Sequence, residues 1–305
     1  MLSTDPADVL ETPPRLAAIL DLVRLDALRY RGGTHPRSEV RTFGGEVVAQ
    51  ALLAAGRTVP RDRAVHSAHA HFLRGGDPGR PITYRVEVLR DGGSFSTRRV
   101  EAEQGGQLIF QLSTSYQLPE SGFEHRPARP AAPDPGQLPS AVEAFADAHP
   151  DDLMWLKDIE SRRSLELRFP EELPRLATRQ GRQVPPRQRV WLRVTDPLPD
   201  DPQVHRAALA YASDLLLLSA ALPPHRRVIN DGGHFASLDH AVWFHAPHRM
   251  DEWLLYEQQS PWAGGGRALC HGQLFDRAGT LVASTVQEGL LRAPASDDGP
   301  PPAHP

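Results

Sequence analysis

The stretch "FGGEVVAQALLAAGRTV" (residues 43–59) places apolar residues at helical spacing behind two glycines, which predicts one long helix. Four segments with alternating apolar and polar residues follow it, and this alternation predicts antiparallel strands joined by short turns. The segments are "AVHSAHAHFLR" (64–74), "ITYRVEVLRDG" (82–92), "SFSTRRVEAEQGG" (94–106) and "QLIFQLSTSYQ" (107–117). This order of one helix and then four strands is the pattern from which we predict the fold.

The same order recurs in the second half of the chain. The helical pattern "HRAALAYASDLLLLSAAL" (205–222) precedes four further strand-like segments. They are "FASLDHAVWFHA" (235–246), "EWLLYEQQSPWAGGG" (252–266), "RALCHGQLFDRAG" (267–279) and "TLVASTVQEGLLR" (280–292). The alignment that sets His69 on His240 also sets Phe72 on Trp243. Repetition of a whole supersecondary pattern indicates an internal duplication.

We therefore predict an α+β double hotdog, in which two fused units each wrap an antiparallel sheet around a long helix. The N-terminal unit takes residues 1–125. The C-terminal unit takes residues 187–293 and opens with the strand "RQRVWLRV"; "VRTFGG" or the segment before it opens the first unit. Residues 126–186 are rich in Pro and Arg and predict a connector that crosses the surface rather than a third core. The tail 294–305 has little to bury, which predicts disorder.

The composition excludes several classes of protein. A formal net charge of -4 over 305 residues argues against a nucleic-acid partner, since the phosphate backbone demands a basic face. Cys270 is the single cysteine, so neither an intramolecular disulfide nor a cysteine zinc cluster can form. The N-terminus lacks the pattern of a secretory signal, and no stretch approaches the roughly 20 apolar residues of a membrane span. We expect a cytoplasmic protein with no membrane partner.

Six short blocks then carry a resemblance. In order they are "FGGEVVAQAL", "VHSAHAHFLRGGD", "VEVLRDGGSFSTRRV", "YASDL", "LDHAVWFH" and "VASTVQEG". Together they resemble the acyl-CoA thioesterase II family of the bacterial TesB type over roughly residues 42–292. The resemblance implies a double hotdog that hydrolyses fatty acyl-CoA to free fatty acid and CoA, without metal or organic cofactor. It also implies further association into a homo-oligomer.

The resemblance implies that Asp214, Ser237 and Gln287 are the catalytic residues. Strand alternation from residue 281 puts Gln287 on a mostly apolar face, and in "SLDHAVWFH" it puts Ser237 and Asp239 on one face. No histidine base is matched to the serine, so a serine nucleophile is disfavoured. We predict that Asp214 acts as general base toward water, while Gln287 and Ser237 hold that water.

A helix that begins at "FGG" offers unpaired N–H groups near its start. We therefore expect Gly44 and Gly45 to let the backbone donate hydrogen bonds to an oxyanion. Members of the resembled family often carry Gln at the position of Glu46, so this chain has a second carboxylate near the cleft.

Each of these residues also has a structural interpretation. From periodicity alone Asp214 is a solvated helix residue, and Asp239 is the rival carboxylate, although "LDH" favours structural hydrogen bonds for it. His66, His69 and His71 suggest a metal site, but no acidic or cysteine partner follows at ligand spacing. Two alternative functions stay open: a hotdog enoyl-acyl hydratase, for which no histidine matches the required pairing, and a non-catalytic acyl-CoA-binding protein.

Overall fold

The computed structural model describes residues 15–34, 41–162, 164–228 and 232–293. The predicted disordered tail, 294–305, lies outside these residues. The described α-helices are α1 (Leu16–Ile19), α2 (Gly44–Gly56), α3 (Ala141–Ala144), α4 (Pro150–Arg162), α5 (Pro174–Arg179) and α6 (Pro202–Ser213). The described strands are β1 (Val23–Arg24), β2 (Arg29–Gly32), β3 (Ala64–Phe72), β4 (Ile82–Asp91), β5 (Phe95–Gln104), β6 (Gln107–Gln117), β7 (Leu165–Arg168), β8 (Arg187–Val194), β9 (His234–Ser237), β10 (Asp239–Phe244), β11 (Leu254–Gly264), β12 (Arg267–Asp276) and β13 (Leu281–Arg292).

These strands form one sheet in which every neighbouring pair is antiparallel. Its first half has the order β2-β4-β5-β6-β3, and its second half, traced from the opposite edge, has the order β8-β11-β12-β13-β10. The two halves therefore have the same topology. The central helices α2 and α6 pack on each other. The predicted double hotdog is confirmed, and β2, just ahead of "VRTFGG", opens the first unit.

The two halves join where β3 pairs with β10. In this ladder His69 lies opposite Ala241, and Ala70 lies opposite His240. These are the positions that the repeat aligns, His69 on His240 and Ala70 on Ala241. The duplicated strands therefore meet about a local twofold axis, which makes the sheet continuous across the fusion.

The connector differs from the predicted surface crossing. Strand β7 pairs with β8 and extends the second half of the sheet, with Leu165 and Leu167 fully buried. Leu156 and Ile159 of α4 are buried as well. Leucines at alternate positions give β7 one apolar face, and α4 of the same segment packs against this strand.

The second central helix is shorter than the predicted 205–222. It begins at Pro202, after Asp201 caps it by accepting a hydrogen bond from the Gln203 N–H at 2.8 Å, and it ends at Ser213. Leu216 then adopts a left-handed backbone conformation, with φ +66°, which no continuous right-handed helix contains. The chain continues in short 3-10 turns, so Asp214 caps a helix end and is not enclosed in a helix.

Contrary to the expectation that no stretch approaches a membrane span, one segment, Pro202–His225, is long and apolar enough by composition to cross a membrane. In the structure 83% of its most apolar window is buried inside the protein. Burial to this degree is that of a core helix and accounts for its composition.

Candidate active site

The candidate site lies where the start of α2 meets the end of α6. The two helices run in opposite directions, because Gly45 of α2 contacts Asp214 at one end while Gln203 donates to the Gly56 carbonyl at the other. The Gly45 N–H donates to Asp214 Oδ2 at 2.9 Å. A carboxylate at the positive end of a helix is stabilised by about 0.3–1 kcal/mol, so α2 holds the charge of Asp214 in place.

Gly44 and Gly45 allow the two helices to approach each other this closely. A Cβ atom on Gly45 would lie 2.3 Å from the Tyr211 carbonyl oxygen, and one on Gly44 would lie 2.8 Å from Asp214 Oδ2. The Gly45 N–H, which the sequence assigned to an oxyanion, is taken by Asp214. The Gly44 N–H is the first of the helix and has no intrahelical acceptor, so it is the backbone donor left for an oxyanion. Glu46, next along α2, is buried.

The three predicted catalytic residues come together. Gln287 Nε2 donates to Asp214 Oδ1 at 2.6 Å and to Ser237 Oγ at 2.9 Å. Gln287 itself is fully buried, whereas Asp214 and Ser237 are partly exposed. An ionised carboxylate only accepts hydrogen bonds, so the amide nitrogen of Gln287 must face Asp214, and the orientation of the amide is fixed.

This orientation determines which groups stay open to a reactant. Both hydrogens of Gln287 Nε2 are used, and Gln287 Oε1 is buried with no hydrogen-bond partner among the described residues. Ser237 accepts from Gln287 through its oxygen and keeps its own hydrogen to donate. The partly exposed groups of the cluster are thus one acceptor, the Asp214 carboxylate, and one donor, the Ser237 hydroxyl.

A bulge separates Ser237 from Asp239, and the prediction that they share a face is wrong. Ser237 pairs with Gly289, whereas Ala241 pairs with Val286. The four-residue step from Ser237 to Ala241 thus lies opposite a three-residue step in β13. One extra residue therefore interrupts the alternation of side chains. Ser237 lies on the face of Gln287, and Asp239 lies on the opposite face.

Asp239 has a structural role at this bulge. Its Oδ1 accepts a hydrogen bond from the Glu288 N–H at 2.6 Å. The backbone of Leu238, the extra residue, is also paired, since its N–H donates to the Glu288 carbonyl and its carbonyl accepts from the Phe72 N–H. The rival carboxylate therefore closes a strand junction, and it is not hydrogen-bonded to Gln287.

His240 is a buried neighbour of the site that the sequence reasoning missed. It is 1% exposed, and burial lowers the pKa of its imidazole, against an opposing effect of Asp214 and then Asp239. Its Nε2 lies 2.8 Å from Ser213 Oγ, so it contacts the residue before the carboxylate. A signal was available, because His240, Val242 and Phe244 alternate as the buried positions of β10.

The histidine cluster has structural partners. His66 Nε2 lies 2.9 Å from Ser115 Oγ, and the His69 ring meets Trp243 edge-on with centroids 5.1 Å apart. Within the described ranges, no group of three or more His, Cys, Asp or Glu side chains is arranged to hold a metal ion.

Two adjacent arginines of β5, Arg98 and Arg99, make their contacts within the sheet and the loops next to it. Arg98 is 1% exposed and bonds Asp91 and Thr58. Arg99 forms an ion pair with Glu87 across the ladder. These contacts give both arginines a structural role in the sheet.

Comparison with known proteins gives consistent matches over almost the whole chain. Residues 33–117 match the family model described as acyl-CoA thioesterase N-terminal domain, and residues 160–290 match the one described as acyl-CoA thioesterase. The chain is 39% identical to acyl-coenzyme A thioesterase 8 of Rattus norvegicus, covering 96% of this chain and 92% of that protein. It is 37% identical to acyl-CoA thioesterase 2 of Haemophilus influenzae, covering 91% and 96%.

Solved structures agree. An acyl-CoA thioesterase II from Mycobacterium marinum is 43% identical, with a TM-score of 0.75, covering 91% of this chain and 98% of that one. A protein described as having a hot dog fold, from Alicyclobacillus acidocaldarius, has a TM-score of 0.74 at 19% identity. The second likeness concerns the fold alone.

Proposed function

The chain belongs to the acyl-CoA thioesterase family, and we propose that it hydrolyses fatty acyl-CoA by direct attack of a water molecule activated by Asp214. The observation that carries the proposal is the pair of hydrogen bonds from Gln287 Nε2 to Asp214 Oδ1 and Ser237 Oγ, at 2.6 and 2.9 Å. They connect a carboxylate on a helix end with an amide and a hydroxyl from two strands.

In this proposal the water lies between the two partly exposed groups of the cluster. It donates one hydrogen to the Asp214 carboxylate, while the Ser237 hydroxyl donates to the water oxygen. This leaves a lone pair of the water directed at the thioester carbonyl carbon. Proton acceptance by a positioned base contributes roughly 10²–10⁴ to the rate.

The bonds then change in two steps. The water oxygen bonds to the carbonyl carbon as its proton passes to Asp214, and the negative charge moves to the carbonyl oxygen, near the Gly44 N–H. The carbon–sulfur bond then breaks, and the leaving thiolate of CoA takes the proton from Asp214. The products are a fatty acid and CoA, and the enzyme returns to its starting state.

The two alternatives fit the cluster less well. In the hydratase alternative a histidine works beside the acid, but His240 is buried and its Nε2 lies against Ser213 Oγ. A purely acyl-CoA-binding protein has no use for a carboxylate and a hydroxyl that one buried amide holds at 2.6 and 2.9 Å. Homo-oligomeric assembly extends the proposal from the family resemblance, and a cytoplasmic location extends it from the single cysteine. Light scattering of the purified protein tests the assembly.

Free-thiol release from a panel of acyl-CoAs, from short to long, tests the reaction. We expect release from some chain lengths and no hydration of the matching enoyl-CoAs. Mass spectrometry of enzyme quenched during turnover tests the mechanism, because direct water attack leaves no acyl group on the protein. A covalent acyl adduct on Ser237 would contradict the proposal.

A further inference from the structure

The chain leaves its helical path directly after Asp214, and side chains of the sheet take over its carbonyl groups. Gln258 Nε2 donates to the Leu215 carbonyl at 2.9 Å, and Gln188 Nε2 donates to the Leu216 carbonyl at 2.9 Å. Gln188 Nε2 also donates to Gln258 Oε1 at 2.6 Å. The two glutamines, on β11 and β8, thus form a linked pair beneath the turn.

The residue before Asp214 is held as well. Tyr256 Oη donates to the Ser213 carbonyl at 2.7 Å. Tyr256 is two positions before Gln258 on β11, so both side chains lie on the same face of the strand. The carbonyls on either side of Asp214 are therefore bound by one strand of the sheet.

This arrangement is costly and the local sequence does not require it. Gln258 is fully buried and Gln188 nearly so, and burying an amide is unfavourable unless its hydrogen bonds are made. A continued α-helix through "LLLLSAAL" would satisfy the Leu215 and Leu216 carbonyls with the N–H groups of Ser219 and Ala220. Leucine and alanine favour that helix. The buried glutamines thus stabilise a departure from it.

The hydrogen bonds of the two glutamines connect the end of α6 to the sheet, close to where the proposed catalytic groups meet. Asp214 is carried by α6, whereas Ser237 and Gln287 are carried by β9 and β13 of the sheet. A small slide of the helix would lengthen the 2.6 Å contact between Asp214 Oδ1 and Gln287 Nε2. Gln258 prevents that slide, because β11 and β13 belong to the same hydrogen-bonded sheet through β12.

We propose that Gln258 is a positioning residue for catalysis, with Gln188 orienting its amide, and that it acts through Asp214 without touching the substrate. The inference rests on the proposed role of Asp214 as the base. A misplacement of about 1 Å in a catalytic group can lower the rate by about a hundredfold. The positioning is therefore visible in kcat rather than in substrate binding.

Gln258→Met is the main test, because methionine keeps the length of the side chain and removes its hydrogen bonds. We expect kcat to fall at least about tenfold and KM to stay within about threefold. The matched control is Gln50→Met. Gln50 is another fully buried amide whose Nε2 donates to two carbonyls, those of Ile19 and Gly33, so this variant should lose stability and keep its kcat.

The outcomes separate the claims. Wild-type kcat in Gln258→Met, or equal losses of kcat in Gln258→Met and Gln50→Met, would overturn the positioning role. If Gln258→Met does not fold, Gln188→Met is compared with the same control and the same criteria apply. An inactive Asp214→Asn beside a fully active Gln258→Met would refute this inference alone, whereas a fully active Asp214→Asn would refute the proposed function.

Discussion

Gln287 organises the site through a single side-chain amide. Its nitrogen donates to the carboxylate of Asp214 and to the hydroxyl of Ser237. Because the amide is buried, neither of its hydrogens is lost to solvent, and the two partly exposed groups are held in one orientation. The charge of Asp214 and the hydroxyl of Ser237 therefore have separable chemical roles.

Removing the charge of Asp214 should damage catalysis much more than folding. In Asp214→Asn the side chain keeps an oxygen that can accept from the Gly45 N–H but cannot take a proton from water. We expect kcat to fall at least about a hundredfold, with a much smaller change in Tm. Asp239→Asn is the control, since its amide oxygen still accepts from the Glu288 N–H. An active Asp214→Asn beside an inactive Asp239→Asn would show that Asp239 is the general base and that Asp214 has the structural role.

The Ser237 hydroxyl should act by hydrogen bonding alone. Ser237→Thr keeps a hydroxyl of the same reach and should retain much of the activity. Ser237→Ala leaves Gln287 Nε2 without one of its two acceptors and should lose substantially more. Steady-state kcat of the two variants checks this, and equal activity of both would show that the hydroxyl takes no part.

At the scale of elements, the site depends on how closely α2 approaches α6. The start of α2 lies against the last turn of α6, and Gly45 allows this because a Cβ atom would meet the Tyr211 carbonyl oxygen. The approach lets the Gly45 N–H reach Asp214. The distance between the helices and the orientation of the carboxylate are thus set by the same glycine.

Gly45→Ala should therefore be destabilising, against the intrinsic preference of helices. Alanine favours a helix over glycine by about 1 kcal/mol, but a Cβ atom 2.3 Å from a backbone oxygen forces the helices apart, and overpacking costs about 1–3 kcal/mol or more. We expect lower stability in urea unfolding together with lower kcat. Gly93→Ala is the control, since a Cβ atom there meets nothing within 4 Å. A more stable and fully active Gly45→Ala would contradict this account of the helix contact.

The whole molecule is one sheet with two central helices, and its stability should respond to pH through the partly buried His248. Burial chiefly lowers the pKa of His248 from 6.5 to about 4. The unfolded chain binds a proton near pH 6.5, and the folded protein resists binding it until about pH 4. Stability is therefore fully present above about pH 6.5 and is lost as the pH falls toward 4.

The shift of His248 corresponds to a loss of roughly 3 kcal/mol between pH 7 and pH 4. His248→Gln cannot take up the proton, so the variant should lose less stability over this range than the wild type. Urea unfolding of both proteins at several pH values measures the difference. Parallel pH dependences would show that His248 is not the group responsible.

The amino-acid sequence determined the architecture, because alternation and helical spacing are local properties. The segments predicted for β3 to β6 and for β8 and β10 to β13 are strands in the structure, and the duplicated order of elements indicated the double unit. The site residues Asp214, Ser237 and Gln287 came from a resemblance in short blocks, and strand alternation placed Gln287 correctly on the inner face.

The features that local sequence could not predict depend on contacts between groups distant in the sequence. The end of α6 at Ser213 was hidden, because "LLLLSAAL" favours a helix by itself and the glutamines that bind its carbonyls lie on other strands. The bulge at Leu238 could not be predicted for the same reason. An extra residue in one strand is recognised only from its pairing register with the partner strand. The role of the Gly45 N–H likewise depends on where α6 ends. Local patterns specify which way a side chain points, but hydrogen bonds between distant segments determine where a helix stops and which group a polar atom meets.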